Sequence, residues 1–254
     1  MTAVSLRKVV AYADRFLSLE DFTDYPGAIN GLQVANGGRV SRIASSVDAT
    51  ERTINAAVEA KADLLVVHHG LGWQPLLPLD GAAYRKVKRA LDFGLAIYSA
   101  HLPLDAHPTL GNNVLLARAI GLQRLRPAFM EKGMPIGQIG QTMLSREALA
   151  KRLAAVLGRD PLVIDGGPQH PRKVGIVSGG AGTRIVDAAR EGIDTFITGE
   201  GSHWTDGVAR DLGINLIYGG HYLTETFGVR ALADHLSKKF RLAVPVHLDF
   251  PTGL

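Results

Sequence analysis

Apolar residues recur along this chain with two different periods. Leu6, Val9, Val10, Ala13, Phe16 and Leu17 keep helical spacing, which predicts an amphipathic helix near the start. Arg42–Val47 then reads as a strand and residues 51–60 as a helix with Ile54, Ala57 and Val58 on one face. Leu64–Val67 reads as a buried strand, and Leu95–Tyr98 as another. The alternation returns as a strand at Val174–Val177, a helix at Ile185–Arg190, a strand at Thr195–Thr198 and a strand at Leu216–Tyr218. Strands alternating with helices predict an α/β fold with largely parallel sheets.

The recurrence extends to alignment. Ile43–Gly70 and Val174–Gly201 align without a gap at an offset of 131, matching Ile54 with Ile185, Ala57 with Ala188, Asp63 with Asp194 and Gly70 with Gly201. Further on, Ala96–Asp105 lies over Leu216–Glu225 at an offset of 120. Each of these blocks carries Ile-Tyr, two small residues, a histidine and an acid four residues later. Units of βαβ type resemble one another by composition, but a paired His and acid is not a compositional expectation. The pattern reads as an internal duplication. It divides the chain into a first α/β half (1–125), a connecting region rich in Pro and Gly (126–170) and a second α/β half (171–254). Within the connection, Ser145–Leu157 looks helical, with Ser145 as N-cap and Gly158 as stop.

Composition narrows the chemistry. The 254 residues include no cysteine, which removes disulfide scaffolds, zinc ribbons, iron–sulfur clusters and thiol catalysis. The net charge of +4 is small for this length. Basic clusters at Arg85/Lys86/Lys88/Arg89 and Lys238/Lys239/Arg241 have no interleaved aromatics and read as solvated helix faces before a nucleic-acid surface. No apolar run reaches the length of a membrane span, and the first residues lack a signal peptide's apolar core. The expected location is the cytoplasm.

Three clusters lie where α/β proteins build sites, at the carboxyl ends of strands. They are His68-His69-Gly70, His101-Leu102-Pro103-Leu104-Asp105 and His221-Tyr222-Leu223-Thr224-Glu225. His68, His69 and His221 read as metal ligands, because position and duplication agree. Asp105 and Glu225 read as carboxylate ligands, with helix capping as the alternative. His101 reads as a neighbour or proton-transfer group. Pro103 argues for a loop there, leading to a helix near Asn112 or Asn113. His221 and Glu225 could share one helix face. His69 aligns with Glu200, one metal-capable residue for another. His107, His170, His235 and His247 read as hydrogen-bonding or surface residues, whereas His203 follows Glu200 closely and stays open.

Imidazole and carboxylate without thiolate suit Zn²⁺, Mn²⁺, Fe²⁺, Co²⁺ or Ni²⁺. An acid can bridge two such ions, and the ion pair lowers the pKa of a bound water toward about 7. The Gly-rich turn Val177–Gly182 reads as a tight turn rather than a phosphate cradle, since it fails the dinucleotide fingerprint and no Gly-Lys-Ser/Thr follows. No Gly-x-Ser-x-Gly elbow supports a serine hydrolase.

These motifs, with Asn30-Gly31-Leu32-Gln33-Val34, Gly111-Asn112-Asn113 and Thr198-Gly199-Glu200, resemble the dinuclear metal-centre family of GTP cyclohydrolase I type 2 homologues. The resemblance spans nearly the whole chain, in the short form without an inserted domain. It implies two similar interleaved α/β halves with a two-metal site in the cleft between them. By motif the ligands would be His68, His69, Asp105, His221 and Glu225. It further implies a ring-shaped hexamer with sites facing an internal cavity. Gly201-Ser202-His203-Trp204 varies among members and takes no role from it. The function expected is a divalent-metal-dependent hydrolase acting on a C–N or phosphoester-type electrophile of a small molecule, with GTP as one substrate attached to the family. The alternative is a metal-containing assembly protein that binds a protein or nucleic-acid partner without turnover.

Overall fold

The computed structural model describes residues 3–71 and 78–253. Its first elements are β1 (Val4–Ser5), α1 (Leu6–Phe16), β2 (Gly31–Val34), β3 (Arg39–Val40), β4 (Ile43–Asp48), α2 (Glu51–Glu59), β5 (Leu64–His69), α3 (Gly81–Asp92), β6 (Ala96–Ser99) and α4 (Leu102–Asp105). Next come α5 (Asn112–Ala119), β7 (Gln123–Glu131), β8 (Met134–Gln141), α6 (Arg146–Leu157), β9 (Leu162–Asp165), β10 (Lys173–Ile176) and α7 (Ile185–Arg190). The last are β11 (Thr195–Thr198), α8 (Thr205–Asp211), β12 (Asn215–Tyr218), α9 (His221–Thr224), α10 (Thr226–Phe240) and β13 (Val246–His247). The fold is α/β, as expected.

The chain forms two compact units. One is Met1–Leu104 with Gly228–Phe250, and the other is Asp105–Phe227 with Pro251–Leu254. These bounds differ from the expected ones at 125/126 and 170/171. Residues 126–170 are not a connection. They supply most of β7 together with β8, α6 and β9, all in the second unit.

In the first unit a five-stranded sheet runs in the order β13-β4-β5-β6-β2. β13, β4, β5 and β6 are parallel neighbours, and β2 closes the edge antiparallel to β6. Leu64-Leu65-Val66-Val67 is buried throughout because helices cover both faces. Successive side chains point to opposite faces. Leu64 and Val66 meet Leu6, Val9 and Ala13 of α1 and Val229, Leu232 and Leu236 of α10. Leu65 and Val67 meet Ile54 and Ala57 of α2 and Ala90 of α3.

The second unit holds a six-stranded sheet, β7-β8-β10-β11-β12-β9. Its parallel core β10-β11-β12 is flanked by antiparallel β8 and β9. Leu149, Leu153 and Leu157 of α6 pack with Leu116 and Ile120 on Val174, Ile176, Ile197 and Ile217. Each fully buried leucine contributes about 1.5–3 kcal/mol relative to exposure. The limits of α6 are those expected: Ser145 Oγ accepts from Ala148 N–H at 3.2 Å, and Gly158 turns left-handed at φ 73°.

Ladder register tests the two alignments separately. Ile43 faces Leu64 and Val174 faces Thr195, which keeps the offset of 131. Leu64 faces Ala96 but Thr195 faces Asn215, so the next strands match at an offset of 119 rather than 120. The N–H of Ala100 bonds Val67 O as that of Gly219 bonds Thr198 O, which carries the shorter offset past the strand ends. His101 therefore corresponds to Gly220, and the two strand-end histidines are one position out of step.

Two local expectations also change. β5 continues through His69, so both histidines lie in the strand. Leu102–Asp105 is a short helix rather than a loop. Pro103 fits its first turn, where no backbone donor is required. The helix at Asn112 is present. Among the described residues no helix is long and apolar enough to cross a membrane.

Candidate functional site

In the first unit, adjacent parallel strands bring His68, His69 and His101 together. His68 is fully buried. The ring centroid of His68 lies 4.8 Å from that of His69 and 4.9 Å from that of His101. One ring nitrogen of each lies within 4.8 Å of the others, a spacing that could hold a metal ion. On each ring Nδ1 is hydrogen-bonded. His68 Nδ1 bonds Ala100 O at 2.8 Å. A carbonyl can only accept, so Nδ1 carries the proton and Nε2 the lone pair of the neutral ring. His69 Nδ1 donates to Asp48 Oδ1 at 2.7 Å, and His101 Nδ1 to Asp24 Oδ1 at 3.0 Å. Metal-ligating histidines use such partners to fix ring orientation. His101, expected as a neighbour, belongs to this group geometrically.

The Asn30–Val34 motif supports the group from behind. Asn30 Oδ1 accepts His101 N–H at 2.7 Å, and its Nδ2 donates to Asp24 at 2.8 Å. Gln33 Oε1 accepts Leu71 N–H at 2.7 Å, just past the strand end. A Cβ on Gly70 would fall on the Gln33 amide, so the glycine lets that side chain pass.

In the second unit, Asp105 is nearly buried and accepts from Asn112 Nδ2 at 2.8 Å and from Ser178 Oγ at 3.3 Å. It ends α4, while Gly111 occupies the N-cap of α5, so Asp105 does not cap that helix. Asn113 is fully buried, donates to Ile136 O at 2.6 Å and accepts Ser178 N–H at 2.6 Å. Asn112 and Asn113 are thus a helix entry that anchors Asp105 and the glycine turn.

His221 opens α9 and Glu225 closes it, with Nε2 to Oε2 at 3.3 Å. The pair shares one side of a helical turn, as its spacing allowed. His221 Nδ1 donates to Glu200 Oε1 at 2.7 Å. Burial lowers the pKa of His221, but hydrogen bonding and charge from Glu225 and Glu200 outweigh it and push it up to about 9.

The glycine turn explains itself here. A Cβ on Gly179, at φ +69°, would lie 2.2 Å from Glu225 Oε1 and 3.3 Å from His221 Nε2. Most of its backbone donors are already committed: Ser178 N–H to Asn113, Gly179 N–H to Thr224 Oγ1, Ala181 N–H to Thr198 Oγ1 and Gly182 N–H to Glu200 O. That disposition fits the tight-turn reading over a phosphate cradle.

Glu200 also lines a cavity of about 690 Å³ in the second unit, with His203, Tyr218, Arg159 and Arg210. His203 thus faces a cavity. Three other histidines are hydrogen-bonding residues, as read. His107 Nδ1 accepts Leu110 N–H, His235 bonds Tyr12 Oη at 2.8 Å, and His247 bonds Ser45 Oγ at 2.7 Å. His170 is exposed. The basic clusters are partly answered locally: Arg85 pairs with Glu51, Lys88 with Asp92, and the Arg89 guanidinium stacks over Phe93.

The residues that sequence reasoning missed are Asp24 and Asp48. They lie 77 and 21 positions from the histidines they hold, and no local spacing marks them. Glu200 was visible as the counterpart of His69 and within the Thr198-Gly199-Glu200 motif, without a role of its own.

The Duf34/NIF3 (NGG1p interacting factor 3) family model matches residues 4–250. The chain is 40% identical over 249 residues to a Deinococcus radiodurans protein named GTP cyclohydrolase 1 type 2 homolog, covering 97% of this chain and 94% of that one. A Pseudomonas aeruginosa protein of the same name is 39% identical over 246 residues, covering 94% and 95%. The crystal structure of TTHA1606 from Thermus thermophilus superposes with a TM-score of 0.91 at 39% identity, covering 99% of this chain and all of that one.

Proposed function

The chain belongs to the Duf34/NIF3 family, and from that premise we propose that it is a metal-dependent hydrolase with a dinuclear divalent-metal centre. The observation that carries the reading is the histidine group of the first unit, three imidazoles turned by acceptors on Nδ1 with ligand-capable atoms within 4.8 Å. Imidazole and carboxylate are the donors that Zn²⁺, Mn²⁺, Fe²⁺, Co²⁺ or Ni²⁺ accept.

In this reading His68, His69, Asp105, His221 and Glu225 hold the ions. When bound, such a pair polarises an electrophile and acidifies water toward a pKa of about 7. The protein's own part is orientation and proton handling. Ala100 O and Asp48 fix the rings of His68 and His69. Asn112 and Ser178 hold Asp105. His101, braced by Asp24, would move a proton through Nε2 while Nδ1 stays bonded. The relatives' name makes GTP one candidate substrate among C–N and phosphoester compounds. The hexamer that the resemblance implies is part of the proposal and is tested by sedimentation.

The family's description as an interacting factor favours a second reading, a metal-containing assembly protein without turnover. One experiment separates the two. Metal per chain is measured, and nucleotides, phosphoesters and cyclic amides are screened with Mn²⁺ or Zn²⁺. Turnover that disappears in His68→Ala and Glu225→Ala supports the hydrolase. Full loading with no turnover across the panel sinks it.

A further inference from the structure

Both units contain the same device, a carboxylate on the Nδ1 of a histidine. In the first, Asp48 on β4 bonds His69 on β5 at 2.7 Å. In the second, Glu200 just past β11 bonds His221 at the start of α9, also at 2.7 Å. Ladder register gives the correspondence: Leu64 and Thr195 are matched positions, so His69 and Glu200, each five residues on, are matched too. One backbone position therefore supplies the imidazole in one unit and the carboxylate in the other. The carboxylate–imidazole pair recurs, but its other member comes from β4 in the first unit and from beyond β12 in the second.

We propose that Asp48 and Glu200 are positioning residues for metal binding, acting through His69 and His221. The inference rests on the metal reading above. Each carboxylate retains the proton on Nδ1, which directs the Nε2 lone pair toward an ion and makes the ring a stronger donor. The two sites differ in access: Glu200 lines the cavity of about 690 Å³. Neither carboxylate belongs to the five-residue ligand set, and neither is needed to cap a helix or close a ladder. Loss of either should therefore weaken metal binding more than it weakens the fold.

The test uses the full chain, with Zn²⁺ affinity read by chelator competition and the Co²⁺ absorption spectrum as a second probe. Asp48→Ala and Glu200→Ala should each lower affinity by about ten- to hundredfold and shift the Co²⁺ bands. Asp48→Asn and Glu200→Gln keep an oxygen acceptor without the charge and should recover part of the loss. Melting of the metal-free proteins checks that the fold is retained. Parental affinity and spectrum in both alanine variants, with binding lost in His69→Ala and His221→Ala, overturns the positioning role while the metal reading stands. Parental affinity in the histidine variants overturns both.

Discussion

Asp24 bonds His101 Nδ1 at 3.0 Å while its other oxygen accepts the Leu102 N–H at 3.1 Å. One carboxylate thus holds both the ring and the backbone at the end of β6, and Asn30 braces it at 2.8 Å. Asp24→Ala removes the acceptor shared by His101, Leu102, Asn30 and Tyr25 from a mostly buried place. The expected cost is about 2–4 kcal/mol, read as a lower urea midpoint. Asp24→Asn retains one acceptor oxygen and should recover part of it. A midpoint equal to the parent's in the alanine variant would show that these bonds contribute nothing.

Asn113 makes a different kind of link, joining β8 to the glycine turn through Ile136 O and Ser178 N–H. Asn113→Ala leaves two buried backbone groups without that partner, a cost of roughly 2–4 kcal/mol. Calorimetry should show a lower Tm. Asn113→Leu should do no better, since it replaces volume but not polarity.

Two left-handed glycines separate backbone strain from site geometry. Gly158 sits at φ +73° with nothing within 4 Å of a built Cβ, whereas Gly179 at φ +69° would press on Glu225 and His221. Alanine at either place costs about 1–2 kcal/mol for the backbone alone. Only Gly179→Ala should lower the metal bound per chain. Equal metal content in the two variants, measured by atomic absorption after equal loading, would contradict the placement of Glu225.

His235 gives a pH dependence away from these residues. It bonds Tyr12 Oη and stacks on Phe16 with centroids 4.3 Å apart. Burial lowers its pKa, and Lys239 and Lys238 lower it further. The unfolded chain therefore takes up this proton first as pH falls through about 6.5. Stability from His235 is present above that value and is lost as pH falls through the lower folded value. Urea melts between pH 7.5 and pH 5 should show stability falling, and His235→Gln should flatten that slope. An identical slope in the variant would assign the effect elsewhere.

The parts of the fold legible in the sequence were those fixed by local pattern. Thr195–Thr198 and Ile185–Arg190 match their predicted limits, and Ser145 and Gly158 bound α6 through side-chain capping and a left-handed turn. Residues 126–170 misled because their Pro and Gly mark positions within ordered elements or tight turns between them. Lys132 and Gly133, both at positive φ, form the two-residue turn between β7 and β8. Gly137 leaves room for Ile176 O, which a Cβ would approach to 2.5 Å. Of the candidate site, strand-end histidines and acids were legible because strand ends are. Their partners were not, since Asp24, Asp48 and Ser178 meet them only through the tertiary fold. The one-residue slip between the histidines was equally hidden, because identity favoured His over His where register pairs His101 with Gly220.

The first unit takes its α10 residues Val229, Leu232, Ala233 and Leu236, and its edge strand β13, from the far end of the chain. On the ribosome those residues emerge after Asp105–Phe227 has been made. The second unit's sheet is then already available for pairing, while the apolar face of α1 and β5 still waits for its cover. Its completion is thus a late event of synthesis, and a premature stop before residue 228 would spare the second sheet while leaving the first unit's apolar face open to chaperones and proteases.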